Sequence, residues 1–153
     1  MVLKIFFPDL KVTLLDSNNK KIRFLTELQD KIHVDNLELI NTRVENIRNE
    51  RLNYYDVVTA RAVTNMPVLT ELAMPLVKIN GYFIAMKGSN EEEIEDGKFA
   101  IIKMHGIVEE INKFSLSKEA GMRNIVKVKK EKETLNTELR PYEKIIKKPL
   151  AKN

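Results

Sequence analysis

The 153-residue chain has no cysteine and no tryptophan, only five glycines and five prolines, and no long uncharged apolar run. Each absence excludes a class. Without cysteine there is neither a disulfide scaffold nor a thiolate metal site, which agrees with a reducing compartment such as the cytoplasm. Sparse glycine and proline exclude collagen-like and low-complexity chains. A membrane helix needs about 18 or more consecutive apolar residues, and none is found. The apolar start Val2 to Phe7 is broken by Lys4 and followed by Pro8 and Asp9, unlike a signal peptide. With 43% apolar and 31% charged residues, the chain is too apolar to be disordered. Its length fits one soluble domain burying roughly 68–70% of its unfolded surface.

The net charge of +4 is unevenly placed. Residues Lys118 to Asn153 carry 11 Lys or Arg against 5 Glu, which leaves −2 for the first 117 residues. The expected division is a body over 1–129 and a basic C-terminal tail over 130–153. A basic segment suits a polyanion such as RNA, DNA or an anionic surface; it equally suits a solvated tail that keeps the chain soluble.

Periodicity gives an alternation of strands and helices. Lys11 to Leu15 reads as a strand ending on Asp16-Ser17. Ile22, Leu25, Leu28 and Ile32 then recur at helical spacing behind Ser17 or Asn18 as N-cap. Leu37 to Ile40 and Tyr55 to Thr59 read as strands, and Val68 to Val77 as a helix entered through Pro67. Lys78 to Gly81 reads as a turn into a strand over Tyr82 to Met86, and Glu91 to Met104 as a helix with an acidic first turn. Ile107 to Phe114 and Asn124 to Val128 read as an antiparallel pair at a sheet edge. The expected class is α/β with a mostly parallel sheet.

In such sheets ligands bind beyond the carboxyl ends of the strands, which directs attention to a few residues. Asp16 can accept hydrogen bonds from ribose hydroxyls, or can serve the start of the following helix. Glu45, after Arg43-Val44, can face an adenine amine or be a surface carboxylate. Arg61 in TARAV can pair with a carboxylate or phosphate, or can tie down a loop. Lys87 in AMKG places a cation at another strand end, or is a solvated turn residue. His33 and His105 lack partners at metal-ligand spacing and read as C-terminal helix residues. There is no Gly-rich phosphate loop, GxSxG or HExxH.

The strings LKIFFPDLKVTLLDSNNKKIRFL, YDVVTARAV and GYFIAMKG, then Arg123-Asn124 before a strand, occur in one order. Together they resemble the small-subunit ribosomal RNA guanine-N7 methyltransferase family, the glucose-inhibited division protein B (RsmG) type, from about Leu3 to Val128. The resemblance implies a Rossmann-like class I methyltransferase sheet that binds S-adenosylmethionine, and rRNA of the small subunit as substrate. It implies cofactor roles for Asp16, Val44, Glu45 and Arg61. It also implies RNA-phosphate roles for Lys87, Arg123, Lys147 and Lys148. No metal or membrane partner is implied.

The family pattern also carries an N-terminal helical region, a first strand and a Gly-rich cofactor turn ahead of its version of LKIFFPDL. This sequence is therefore expected to correspond to the C-terminal part of such an enzyme, with an incomplete sheet whose open edge invites self-association. The implied reaction transfers a methyl group to a guanine ring nitrogen that already bears a lone pair, so positioning matters more than a general base. No catalytic base is assigned. The competing expectation is a catalytically inactive α/β remnant that binds RNA or protein.

Overall fold

The computed structural model of the chain describes residues 1–61, 63–115 and 121–151. Ala62 of the TARAV string and the last two residues of the expected tail, Lys152 and Asn153, lie outside the described residues. The chain forms two compact units, Met1–Ile47 and Arg48–Asn153. The boundary between the two units falls after Ile47.

The first unit holds α1 (Val2–Phe6), β1 (Val12–Leu15), α2 (Asn19–Ile32), β2 (Leu37–Ile40) and α3 (Val44–Ile47). Strands β1 and β2 pair in parallel, from Val12 with Leu37 to Leu15 with Ile40, and α2 is the crossover between them. The crossover begins where Asn18 Oδ1 accepts the Lys20 amide at 2.9 Å, so Asn18 and not Ser17 is the N-cap. It ends on His33 in the left-handed conformation, whose amide returns to the Gln29 carbonyl. The short helices α1 and α3 have no counterpart in the sequence reading. Lys4 of α1 is buried, and its ammonium donates to the carbonyls of Pro8 and Leu10. That bonding closes the bend into β1. Ile22 and Ile47 are the buried hydrophobic residues of this unit, whereas Phe6 and Phe24 remain 75% and 62% exposed. The apolar stripe of α2 is thus only partly covered.

The second unit begins with β3 (Tyr55–Arg61) and α4 (Met66–Ala73), followed by a 3-10 turn (Met74–Leu76) and β4 (Val77–Lys87). It continues through α5 (Glu91–Lys103), β5 (Gly106–Ser115) and β6 (Met122–Lys130) to a 3-10 turn (Asn136–Glu138) and α6 (Tyr142–Lys147). The strand order is β3-β4-β6-β5. β3 runs parallel to β4, while β6 is antiparallel to both β4 and β5. The α/β class is as expected, but parallel and antiparallel pairings are equal in number rather than mostly parallel. Met66, Leu69, Met74, Val77, Phe83, Ile101, Val126 and Val128 form the core between the sheet and helices α4 and α5.

Two local expectations need correction. The helix placed over Val68 to Val77 starts earlier and stops at Ala73. Asn65 caps it through the Val68 amide, and Pro75 cannot donate the bond that would extend it. The expected turn over Lys78 to Gly81 lies within β4 as a bulge. Between the Tyr55–Val77 and Val57–Tyr82 pairs, β4 carries extra residues, and Asn80 takes φ of 63°. A Cβ on Gly81 would lie 2.6 Å from the Asp56 carbonyl oxygen, so only glycine lets the two backbones approach.

The segment after Lys129, expected as a basic tail, is built into the second unit by buried polar groups. Glu71 of α4 is 2% exposed. It accepts Arg140 Nη1 and the Leu150 amide, each at 2.8 Å. Arg140 also donates to the carbonyls of Lys144 and Lys148, and Arg48 Nη2 donates to the Arg140 carbonyl. Lys130 is fully buried, with its Nζ on the Met74 carbonyl and Thr134 Oγ1. Ile145 of α6 is fully buried. Charge-rich composition concealed this because the charges are the fastening.

Two outcomes follow. Arg140→Met strands the buried Glu71 carboxylate and is expected to lower stability by about 3 kcal/mol in urea denaturation. Burial pulls the Lys130 ammonium down from 10.5 to about 8. Between those values the unfolded chain binds the extra proton, so this residue's contribution to stability grows as pH rises from about 8 toward 10.5. Wild type measured against Lys130→Met at pH 7.5 and pH 10 is expected to gain stability at the higher pH.

Candidate cofactor and nucleic-acid site

In the first unit, Asp16 stands at the carboxyl end of β1. Its Oδ1 accepts the Asn18 amide at 2.8 Å and its Oδ2 the Lys21 ammonium at 2.9 Å. The Asn18 amide, with Lys21 behind it, holds the carboxyl below the ordinary aspartate range. The side chain is 31% exposed, and each oxygen keeps a lone pair for a further donor. Asp16 therefore shapes the entry to α2 and retains the capacity to accept hydroxyl groups. The Asn41 amide donates to the Asp16 carbonyl at 3.0 Å, joining the ends of β1 and β2. Glu45 lies in α3 beside Val44, mostly shielded, 3.3 Å from Arg43.

In the second unit, strand register gathers three of the expected cations at one end of the sheet. Arg61 pairs with Met86 across β3 and β4, Lys87 with Asn124 across β4 and β6, and Arg123 with Phe114 across β6 and β5. All six line one cleft of about 860 Å³. The three cations are not equivalent there. Lys87 is 8% exposed at its side chain; its Nζ donates to Glu93 Oε1 and to the Thr64 carbonyl, both at 2.6 Å. Its charge is already answered, so it braces the cleft rather than standing free as an RNA-phosphate contact. Arg61 is exposed and has no hydrogen-bond or ion-pair partner among the described residues. Arg123 is half-buried and donates to the Met122 carbonyl at 2.9 Å, leaving most of its five donors available. Lys147 and Lys148 are exposed at the end of α6 and do not line this cleft.

The sequence reading missed Asn124, Glu93 and Phe114 as cleft residues. Asn124 had a signal. Asn124, Val126, Val128 and Lys130 alternate on the buried side of β6, and an amide on such a face must have an assigned use. Glu93 lies in the acidic first turn of α5, whose N-cap Asn90 accepts the Glu93 amide. His105 is not a free dipole-favoured residue: its Nε2 lies 2.7 Å from Glu138. Among the described residues no three His, Asp or Glu gather as a metal-binding group, and no helix there is long and apolar enough to cross a membrane.

The family described as rRNA small subunit methyltransferase G (GidB) matches residues 1–139. The chain belongs to this family. It is 45% identical over 136 residues to ribosomal RNA small subunit methyltransferase G of Staphylococcus carnosus, which covers 86% of the chain and 57% of that relative. The relative from Oceanobacillus iheyensis is 47% identical over 135 residues, with the same coverage of each chain. The chain thus spans a little over half the length of the curated relatives it matches.

Solved structures with similar folds include methyltransferases. A variant of the 16S rRNA (adenine(1408)-N(1))-methyltransferase from Catenulisporales acidiphilia superposes with a TM-score of 0.72 at 10% identity, covering 88% of this chain and 79% of that one. M. jannaschii TYW2 in complex with AdoMet superposes with a TM-score of 0.62 at 18% identity, covering 80% and 58%. At these identities the likeness establishes the Rossmann-like fold.

The differing roles of the cations can be separated by stability. Lys87→Met leaves Glu93 and the Thr64 carbonyl without their donor and is expected to cost about 1–3 kcal/mol in urea denaturation. Arg61→Ala, at an exposed position without a partner, is expected to stay within about 0.5 kcal/mol of wild type.

Proposed function

We propose that the chain is the S-adenosylmethionine- and rRNA-binding part of a cytoplasmic methyltransferase acting on a guanine N7 of small-subunit rRNA. The observation that carries this reading is the cleft at the strand ends, where Arg61 is exposed and unengaged in a chain of the rRNA small subunit methyltransferase G family. The residues fit the cofactor's functional groups: Asp16 retains acceptor capacity for ribose hydroxyls, Val44 and Glu45 suit the adenine, and the Arg61 guanidinium suits the carboxylate. When bound, S-adenosylmethionine supplies an electrophilic methyl group. The guanine N7 lone pair needs no proton removed, so the chain's part is to hold the base and its phosphate. Arg123 serves the phosphate within the cleft, and exposed Lys147 and Lys148 extend the cationic surface, giving affinity with little sequence choice. Lys87 acts by bracing, through Glu93.

A second reading is a non-catalytic module that binds RNA through the exposed lysines of α6. Calorimetric titration with S-adenosylmethionine separates the two. Micromolar binding, weakened at least about tenfold by Arg61→Ala, is expected. A cooperatively folded chain that takes up no S-adenosylmethionine would establish the non-catalytic module instead.

Self-association is the remaining part of the proposal. Among the described residues β1 and β3 each pair with a single neighbouring strand, and Val57 on β3 is half exposed. An open edge with apolar side chains favours edge pairing with a second copy. Sedimentation velocity is expected to show a dimer that Val57→Lys converts to monomer; a monomer at all concentrations would exclude it.

A further inference from the structure

The cleft of the second unit is lined by a residue with a polar atom that no described residue uses. Asn124 is 2% exposed. Its Nδ2 donates to the Gly88 carbonyl at 2.6 Å, and its Oδ1 is buried without a hydrogen-bond partner among the described residues. The Gly88 carbonyl fixes the orientation of the amide, because only the nitrogen can face it. The orphaned atom is therefore an acceptor, on a residue that lines the cleft together with Phe114, Ile125 and Met86 as apolar surface and Arg123 as a cation. A buried acceptor left unpaired is costly, and a ligand donor that reaches it recovers that cost. Gly88 leaves room beside it: a Cβ there would meet nothing within 4 Å.

We infer that Asn124 is a positioning residue that accepts hydrogen bonds from the Watson–Crick edge of the target guanine. This rests on the rRNA-methyltransferase reading and adds to it the residue that orients the base. Guanine carries two adjacent donors on that edge, the N1 hydrogen and the N2 amino group, while N7 lies on the opposite side of the ring system. A base held at Asn124 by its Watson–Crick edge thus turns N7 away from the wall. Phe114 supplies an aromatic surface for an unstacked base, and Arg123 supplies donors for the nucleotide's phosphate. Arg123 confers affinity for any nucleotide, and Asn124 confers the choice among purines.

The test is a ladder of nucleotides that share ring, ribose and phosphate but differ in edge donors, titrated into the full chain by calorimetry or by side-chain amide NMR. Guanosine 5′-monophosphate presents both donors; purine riboside 5′-monophosphate presents none. The wild type is expected to bind the first about tenfold more tightly, with the Asn124 side-chain amide signal shifting only for the first. Asn124→Ala is expected to bring the two affinities together at the level of purine riboside monophosphate. Arg123→Ala is expected to weaken both by a common factor. Equal binding of the two nucleotides by the wild type overturns the assignment, and it does so even where Asn124→Ala fails to fold. Titration with S-adenosylmethionine on the same sample keeps the outcomes distinct: cofactor binding without nucleotide discrimination removes the role of Asn124 while leaving the methyltransferase reading intact.

Discussion

The pairing of β4 with two different neighbours is the constraint on which the cleft depends. β4 lies parallel to β3 on one side and antiparallel to β6 on the other. Those two registers together bring Arg61, Met86, Lys87 and Asn124 to one end of the sheet. Side chains alternate along a strand, so a shift of one residue would turn Lys87 and Asn124 toward the opposite faces. The register is secured from within. Phe83 and Ala85 of β4 and Val126 and Val128 of β6 are fully buried, and a slip would expose these side chains and, in β6, bury Lys127 and Lys129. At the other end of β4, the bulge at Lys78 to Gly81 absorbs the mismatch with β3, and the close approach at Gly81 makes that bulge specific to glycine. Core packing thus fixes the cleft's cations by way of the backbone, before any ligand takes part.

The buried charges follow the same logic. Lys4, Glu71, Lys87, Lys130 and Arg140 each bond main-chain groups at bends, helix ends and returns of the chain. Burial raises the carboxyl of Glu71, and the Leu150 amide and Arg140 partly oppose that rise. A carboxylate in that position is retained for the segment it captures rather than for the net strength of the ion pair. The exposed Lys78–Asp56 pair, by contrast, fixes nothing that the register does not already fix.

The alternating elements were legible because their apolar spacing is regular. The strand over Leu37 to Ile40, the helix after Asn18 and the antiparallel pair β5 and β6 could be read from single residues. The cleft cations Arg61, Lys87 and Arg123 were legible as types at strand ends, but their partners were not. Nothing local in AMKG indicates that Lys87 meets Glu93 rather than solvent, since the helix that carries Glu93 is placed by tertiary packing of Gly97 on Met66. The C-terminal segment was legible as basic but its fastening was not, for a related reason. Arg140 and Lys130 look like solvated charges in a composition count, and only the position of Glu71 and Thr134 in space reveals them as anchors. Asn124 falls between these cases, since its place on a buried strand face was visible but its missing partner was not.

The two units carry their candidate residues on frameworks of unequal strength. Arg61, Lys87, Asn124 and Arg123 are mounted on a four-stranded sheet whose inner side chains are fully enclosed. Asp16 is mounted on a two-stranded parallel sheet whose unit buries two hydrophobic side chains, and two strands with so little covered apolar surface are marginal by themselves. The hydrogen bonds around Asp16, from Asn18 and Lys21 to its carboxylate and from Asn41 to its carbonyl, are therefore local substitutes for a core: they fix the strand end by polar contacts where burial does not. The cations of the second unit are accordingly preorganised by packing, and Asp16 of the first by a short hydrogen-bonded turn. Changes at Asn18 or Asn41 should thus disturb the geometry of Asp16 more than changes of similar size disturb Arg61, whose place is held by the register of β3 on β4.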